Sequence, residues 1–126
     1  MPISEAAQTS VQDIHDLIDT MEDRTTQAFI STAANYGVTL NDNRRKIIVT
    51  SASAVTITLP NNTPAGFELM IVQLAAGAGV VAVTGGSVLS KDNHTRTSGQ
   101  YAVAYLFCHA NAGTSPQVIL TGDTAP

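Results

Sequence analysis

Val55-Thr56-Ile57-Thr58-Leu59 (VTITL) decides the fold of this 126-residue chain. Apolar and hydroxyl side chains alternate strictly, which is the period of a strand with one buried face. Ser51-Ala52-Ser53 turns the chain before it, and Pro60 to Gly66 (PNNTPAG) loops after it. Working outward, the same period predicts strands over Val38–Leu40, Lys46–Thr50, Phe67–Leu74, Val80–Thr84, Tyr101–Cys108 and Gln117–Thr121, with a short piece at Val88–Leu89. Ala75 to Gly79 (AAGAG) reads as a hairpin loop joining Phe67–Leu74 to Val80–Thr84. Short strands spaced about 8–12 residues apart predict a mainly β chain, a two-sheet sandwich of jelly-roll type. Two strands are apolar on both faces. Phe67, Leu69 and Ile71 oppose Met70, Val72 and Leu74, while Tyr101, Val103, Tyr105 and Phe107 oppose Ala102, Ala104, Leu106 and Cys108. One face of a sandwich sheet is normally wet, so a doubly apolar strand calls for cover from outside the sandwich.

Upstream the period changes. With Ser4 at a heptad a position, the a and d positions are Ser4, Ala7, Val11, Ile14, Ile18, Met21, Thr25 and Ala28. Four heptads of that spacing predict a coiled coil, and isoleucine at both a and d favours three or four strands over two. Val11, Ile14, Ile18 and Met21 are the expected trimerisation residues. The opposite face carries Asp13, Asp16, Asp19, Glu22 and Asp23. The phase is lost after Ala28, and Asn35-Tyr36-Gly37 is expected to end the helix. The predicted organisation is therefore a stalk over residues 1–36 and a β domain over 37–126. The heptad is already in phase at Ser4, so more coiled coil is expected to precede this chain.

Charge divides the same way. Before Tyr36 six acids face Arg24 alone, giving −5, whereas the remainder has four acids and five bases, giving +1. That distribution leaves no footprint for nucleic acid. One cysteine, Cys108, supplies no disulfide framework. No basic residue leads into an apolar segment at the start, so no signal peptide is expected, and the apolar runs stop short of membrane-spanning length. Synthesis in the cytoplasm is the expectation.

Catalytic patterns are weak. His15, His94 and His109 are far apart, and no cluster has metal-ligand spacing. Cys108 and His109 are adjacent on a strand and so point to opposite faces. No nucleophile elbow, phosphate loop or dinucleotide fingerprint occurs. The sequence thus predicts no enzyme, no metal and no cofactor. Its clustered polar feature is Arg44-Arg45-Lys46. Repeated around a three-fold axis, it is a candidate anion site for a carboxylate, a sulfate or a lipopolysaccharide phosphate. Lys91 and Arg96, with His94, form a second candidate patch in the loop from Ser90 to Gly99.

Several stretches together resemble a known group. They are Val55 to Pro60 (VTITLP), Pro64 to Phe67 (PAGF), Gln73 to Val83 (QLAAGAGVVAV), Gly99 to Ala102 (GQYA) and Val118 to Asp123 (VILTGD). With the preceding heptads, the chain resembles the β domains at the tips of bacteriophage tail appendages, above all the distal knob of the tail needle of short-tailed phages. The resemblance implies a homotrimer of jelly-roll subunits akin to tumour-necrosis-factor trimers, located at the virion tail tip. It further implies contact with other tail proteins through an upstream segment and with the bacterial outer-membrane surface. The implied role is to plug the tail and portal exit and to penetrate the host envelope during genome ejection. The alternative is the receptor-binding tip of a trimeric tail fibre that recognises a cell-surface glycan.

Overall fold

The computed structural model describes residues 29–126. The expected coiled coil, with Val11, Ile14, Ile18 and Met21, lies outside the described residues. Among the described residues, eleven strands form two facing sheets: β1 (Phe29–Thr32), β2 (Tyr36–Gly37), β3 (Arg45–Val49), β4 (Val55–Leu59), β5 (Glu68–Gln73), β6 (Gly79–Val83), β7 (Ser87–Leu89), β8 (Arg96–Thr97), β9 (Val103–Asn111), β10 (Pro116–Gly122) and β11 (Thr124–Ala125). The first sheet has the order β1-β3-β5-β9-β10-β7 and the second β11-β8-β6-β4-β2.

The mainly β sandwich is as expected, but its winding is not that of a jelly roll. A jelly roll is built from antiparallel Greek keys. Here odd-numbered strands up to β5 go to the first sheet and even-numbered strands up to β6 to the second. β1, β3 and β5 run parallel, as do β2, β4 and β6. The chain therefore begins as a flattened parallel coil. Ile47 pairs with Ile71 and Ile57 with Val81, in each case a residue 24 positions further on. The later strands close the sandwich. β9 runs antiparallel to β5 and β10 to β9, while in the second sheet β8 runs antiparallel to β6 and β11 to β8. β7 finishes the first sheet parallel to β10. A Cβ on Gly86, just before β7, would collide with the Pro116 carbonyl oxygen, so this close approach requires glycine.

Three local expectations are corrected. The hairpin across Ala75–Gly79 does not form, because β5 and β6 lie in opposite sheets. Those residues arch over the end of the core instead, with the buried Gln73 amide donating to the carbonyls of Ala75 and Ala76, both at 3.1 Å. The helix does not continue to Gly37, because residues 29–32 are strand β1, so the β fold already includes Phe29. Phe29 and Ile30 gain more from a pleated surface than from the wet side of a helix. Val38–Leu40 is not a strand either. Asp42 folds back so that its carboxylate accepts from the Thr39 amide at 2.9 Å, and its own amide donates to the Thr39 carbonyl, making a short 3-10 turn over Leu40–Asp42.

The core lies between the sheets. Ile47 and Val49 of β3, Val55, Ile57 and Leu59 of β4, Leu69 and Ile71 of β5, and Leu106 of β9 are all buried. Each follows the two-residue alternation, and burying each such side chain contributes about 1.5–3 kcal/mol. Asparagine side chains replace missing ladder partners where strands end. Asn35 Oδ1 accepts from the Thr56 amide, Asn43 Oδ1 from the Glu68 amide, and Asn111 Oδ1 from the Gly113 and Ser115 amides. Asx side chains do this because their oxygen reaches the same position as a backbone carbonyl.

Candidate functional site

Alternation fixes what each sheet shows to its outside. In the first sheet the outward residues fall in rows across the strands. Ile48, Val72 and Val103 form one row, and Lys46, Met70, Tyr105 and Thr121 the next. Glu68 is followed by Phe107, Ile119 and Leu89 in a third. Phe29 sits beside Lys46 on this face. The Tyr105 and Phe107 rings lie 5.9 Å apart at 31°. Leu74 and Tyr101 sit at its rim, where the Tyr101 amide donates to the Gln73 carbonyl. Among the described residues the large apolar side chains that are most exposed are Phe29, Leu40, Leu74, Leu89, Tyr101 and Val103. All except Leu40 belong to this face or its rim. The second sheet is different: Thr56 and Thr58 face outward beside Val80 and Ala82, with Arg96 of β8 next to Val80. The doubly apolar strands were legible in the sequence, and the register shows that their outer faces lie side by side. Phe29 was missed, because the heptad reading placed it on a helix.

The basic run is brought together at one corner of this face, around a hollow of about 120 Å³ lined also by Glu68, Met70 and Tyr105. Arg44 adopts φ +66°, uncommon for a residue with a Cβ. Its amide donates to the Glu68 carbonyl, and its Nε lies 3.5 Å from Glu68 Oε1. Tyr105 donates to Glu68 Oε2 at 2.7 Å. Arg45 turns inward, 3.8 Å from the carboxylate of buried Asp42, which also accepts from the Tyr36 hydroxyl at 2.9 Å. Lys46 turns outward beside Phe29 and Met70. Two carboxylates thus answer the arginines, and the corner carries an excess of one positive charge. Exposed pairs such as Arg44–Glu68 contribute about 0–1 kcal/mol. Lys91 and Arg96 are not brought to this corner. Lys91 follows β7, and Arg96 belongs to the second sheet, where it lines a hollow of about 200 Å³ with Gln73, Thr97 and Ala125. The loop carrying them is tied down by His94, whose Nδ1 lies 2.9 Å from Thr124 Oγ1 and whose amide donates to Ser90 Oγ.

Both anchoring tyrosines have their pKa raised above 10.0. Burial is the main cause for Tyr36, followed by its hydrogen bond to Asp42 and that residue's charge, with Arg45 pulling the other way. For Tyr105 the hydrogen bond to Glu68 leads, followed by burial and the Glu68 charge. The fold therefore favours the neutral phenols. Their contribution is fully present below the unfolded value of 10.0 and is lost as pH rises through the raised folded values. Denaturation midpoints should stay level on these groups' account up to about pH 10 and fall beyond it. In Tyr36→Phe the alkaline fall should be shallower, and an equally steep fall would remove Tyr36 as its cause.

Among the described residues, no group of three or more His, Cys, Asp and Glu side chains is placed to hold a metal, and no helix is long and apolar enough to cross a membrane. Cys108 is buried, with Sγ 3.3 Å from the Ala110 carbonyl oxygen, while His109 on the opposite side is exposed. Comparison with known protein families, with characterised proteins and with solved structures finds no match to this chain.

Proposed function

We propose that this chain is the tip of a trimeric bacteriophage tail appendage, a tail-needle knob that plugs the tail exit and leads penetration of the host envelope. The observation that carries this reading is the junction. The heptad positions of the sequence run to Ala28, and the next residue, Phe29, already belongs to β1, the edge strand of the first sheet. A stalk of three helices would hand its load directly to the edge strand of each sandwich, as a penetrating tip requires. The acidic heptad segment, the near-neutral β domain and the resemblance of its turns to phage tip domains support the same reading. Other tail proteins upstream and the bacterial outer surface are the partners that follow, and the virion tail tip is the location. A glycan-binding fibre head is the second reading, favoured by the polar hollow beside Arg96 and Thr97.

Light scattering behind a sizing column tests the assembly. The full chain should have three times its own mass and should run as an oligomer in mild detergent without boiling. A single-chain mass would overturn the proposal. Binding of purified lipopolysaccharide at low salt, abolished by Arg96→Ala, would move the assignment to the fibre head.

A further inference from the structure

From the outer face of the first sheet we infer how the copies meet. Three chains pack this face around a common axis and turn the second sheet to solvent. The inference rests on the trimer proposed above and identifies the surface that builds it. Four observations converge on this face. It or its rim holds every strongly exposed large apolar side chain among the described residues except Leu40. Contiguous patches of that kind on a soluble protein mark contact sites. Strands β5 and β9 are apolar on both faces, and Ile48, Val72 and Val103 form an unbroken apolar row across the outer side of this sheet, which calls for cover. The opposite sheet shows Thr56, Thr58 and Arg96 outward with only the smaller Val80 and Ala82 among them, so of the two faces it is the better suited to water.

The fourth observation selects the occupant. The 28 residues that precede Phe29 carry the heptads, and they end on β1, the edge strand of this same sheet. Phe29 itself projects onto the face, beside Lys46. Helices gathered at an axis would therefore deliver three copies of this sheet edge to that axis, which makes further copies of this chain the nearest available cover. The polar content of the face is compatible with burial: Lys46, next to the edge strand β1, can lay its stem on Phe29 and Met70 and keep its ammonium in water at the rim. Glu68 already accepts from Tyr105 and pairs with Arg44, so it would not enter the interface unpaired. A closed three-fold ring uses the same contact three times and leaves no apolar face open.

The test uses the full chain. Val72 lies between Ile48 and Val103 at the centre of the face, and Val72→Glu would place a charge there. Its mass should fall from three chains to one while the far-ultraviolet β signature persists. Thr58→Glu, on the outside of the second sheet, should remain at three chains. If Val72→Glu fails to fold, thiol labelling decides. Val103→Cys should resist a bulky maleimide at concentrations where the mass is three chains, and Thr56→Cys should label quickly. A Val72→Glu variant that stays at three chains would overturn the inference. So would Val103→Cys labelling as fast as Thr56→Cys in a three-chain assembly. Either result leaves the proposed function standing, whereas a single-chain mass for the unaltered protein removes both.

Discussion

Phe67→Ala is expected to lower stability by about 3–5 kcal/mol. Phe67 is the largest of the fully buried side chains, 2% exposed. Two contributions add: the transfer of the ring out of water, and the cavity left behind. The second is large only where the surroundings cannot close in, and here they are pinned. The Phe67 amide donates to the Pro64 carbonyl, its own carbonyl accepts from the Cys108 amide, and the Gly66 amide donates to the Cys108 carbonyl. Gly66 also holds φ +92°, a conformation that fixes the turn into β5. The backbone therefore cannot follow the lost ring inward. Domains of this size have about 5–15 kcal/mol in all, so the variant should lose a large share of its stability. Urea titration should show the midpoint falling sharply with the slope nearly unchanged. A loss below about 1 kcal/mol would mean that the ring is not central to the core.

Gln73→Met is expected to cost about 2–5 kcal/mol although it preserves volume. Gln73 is a polar side chain at an inward position, 2% exposed. Its amide donates to the Ala75 and Ala76 carbonyls, and its Oε1 accepts from Thr97 Oγ1 at 2.7 Å. Thr97 Oγ1 in turn accepts from the Gly79 amide at 2.9 Å. One side chain thus joins β5 to β6 and β8 across the sandwich and shapes the arch between them. Methionine fills the space but takes the amide donor from two carbonyls and the acceptor from the Thr97 hydroxyl proton. Because the groups act together, Gln73→Met with Thr97→Val should lose less than the sum of the single losses. Additive losses in a thermal or urea titration would show that the bridge is not one network.

The two substitutions bear on what could be read from the chain beforehand. Val55–Leu59 was legible because alternation reports burial directly. Its partners were not, because alternation carries no information about which strand lies alongside. A glycine-rich loop after β5 suits a hairpin and an arch equally. The distinguishing signal was Gln73, an amide at an inward position of an apolar strand, with carbonyls two and three residues ahead to satisfy it. Phe29 and Ile30 lay off the heptad seam, a sign that the helical period had ended and not that a helix had found a new neighbour. The basic corner was legible as a cluster but not as a balanced one. Alternation sends Arg45 inward to Asp42 and Lys46 outward, and the Glu68 that answers Arg44 comes from a distant strand. The apolar face could be inferred from the doubly apolar strands, but its continuity required the register between β5 and β9.

The parallel winding of β1 to β6 also bears on the order of folding events. Each ladder within the last full turn of that coil joins residues 24 positions apart, as Ile47 joins Ile71. β9 and β10 close on each other across a short turn, with Asn111 opposite Pro116. Loop closure favours that hairpin over the turns of the coil by roughly 1–1.5 kcal/mol before a side chain is buried. The local nucleus is thus the part of the sandwich made late in synthesis, while the earlier strands wait for distant partners. If three copies assemble as proposed, nascent chains would meet with their coils still open, and their alignment would precede, and guide, the closing of each sandwich.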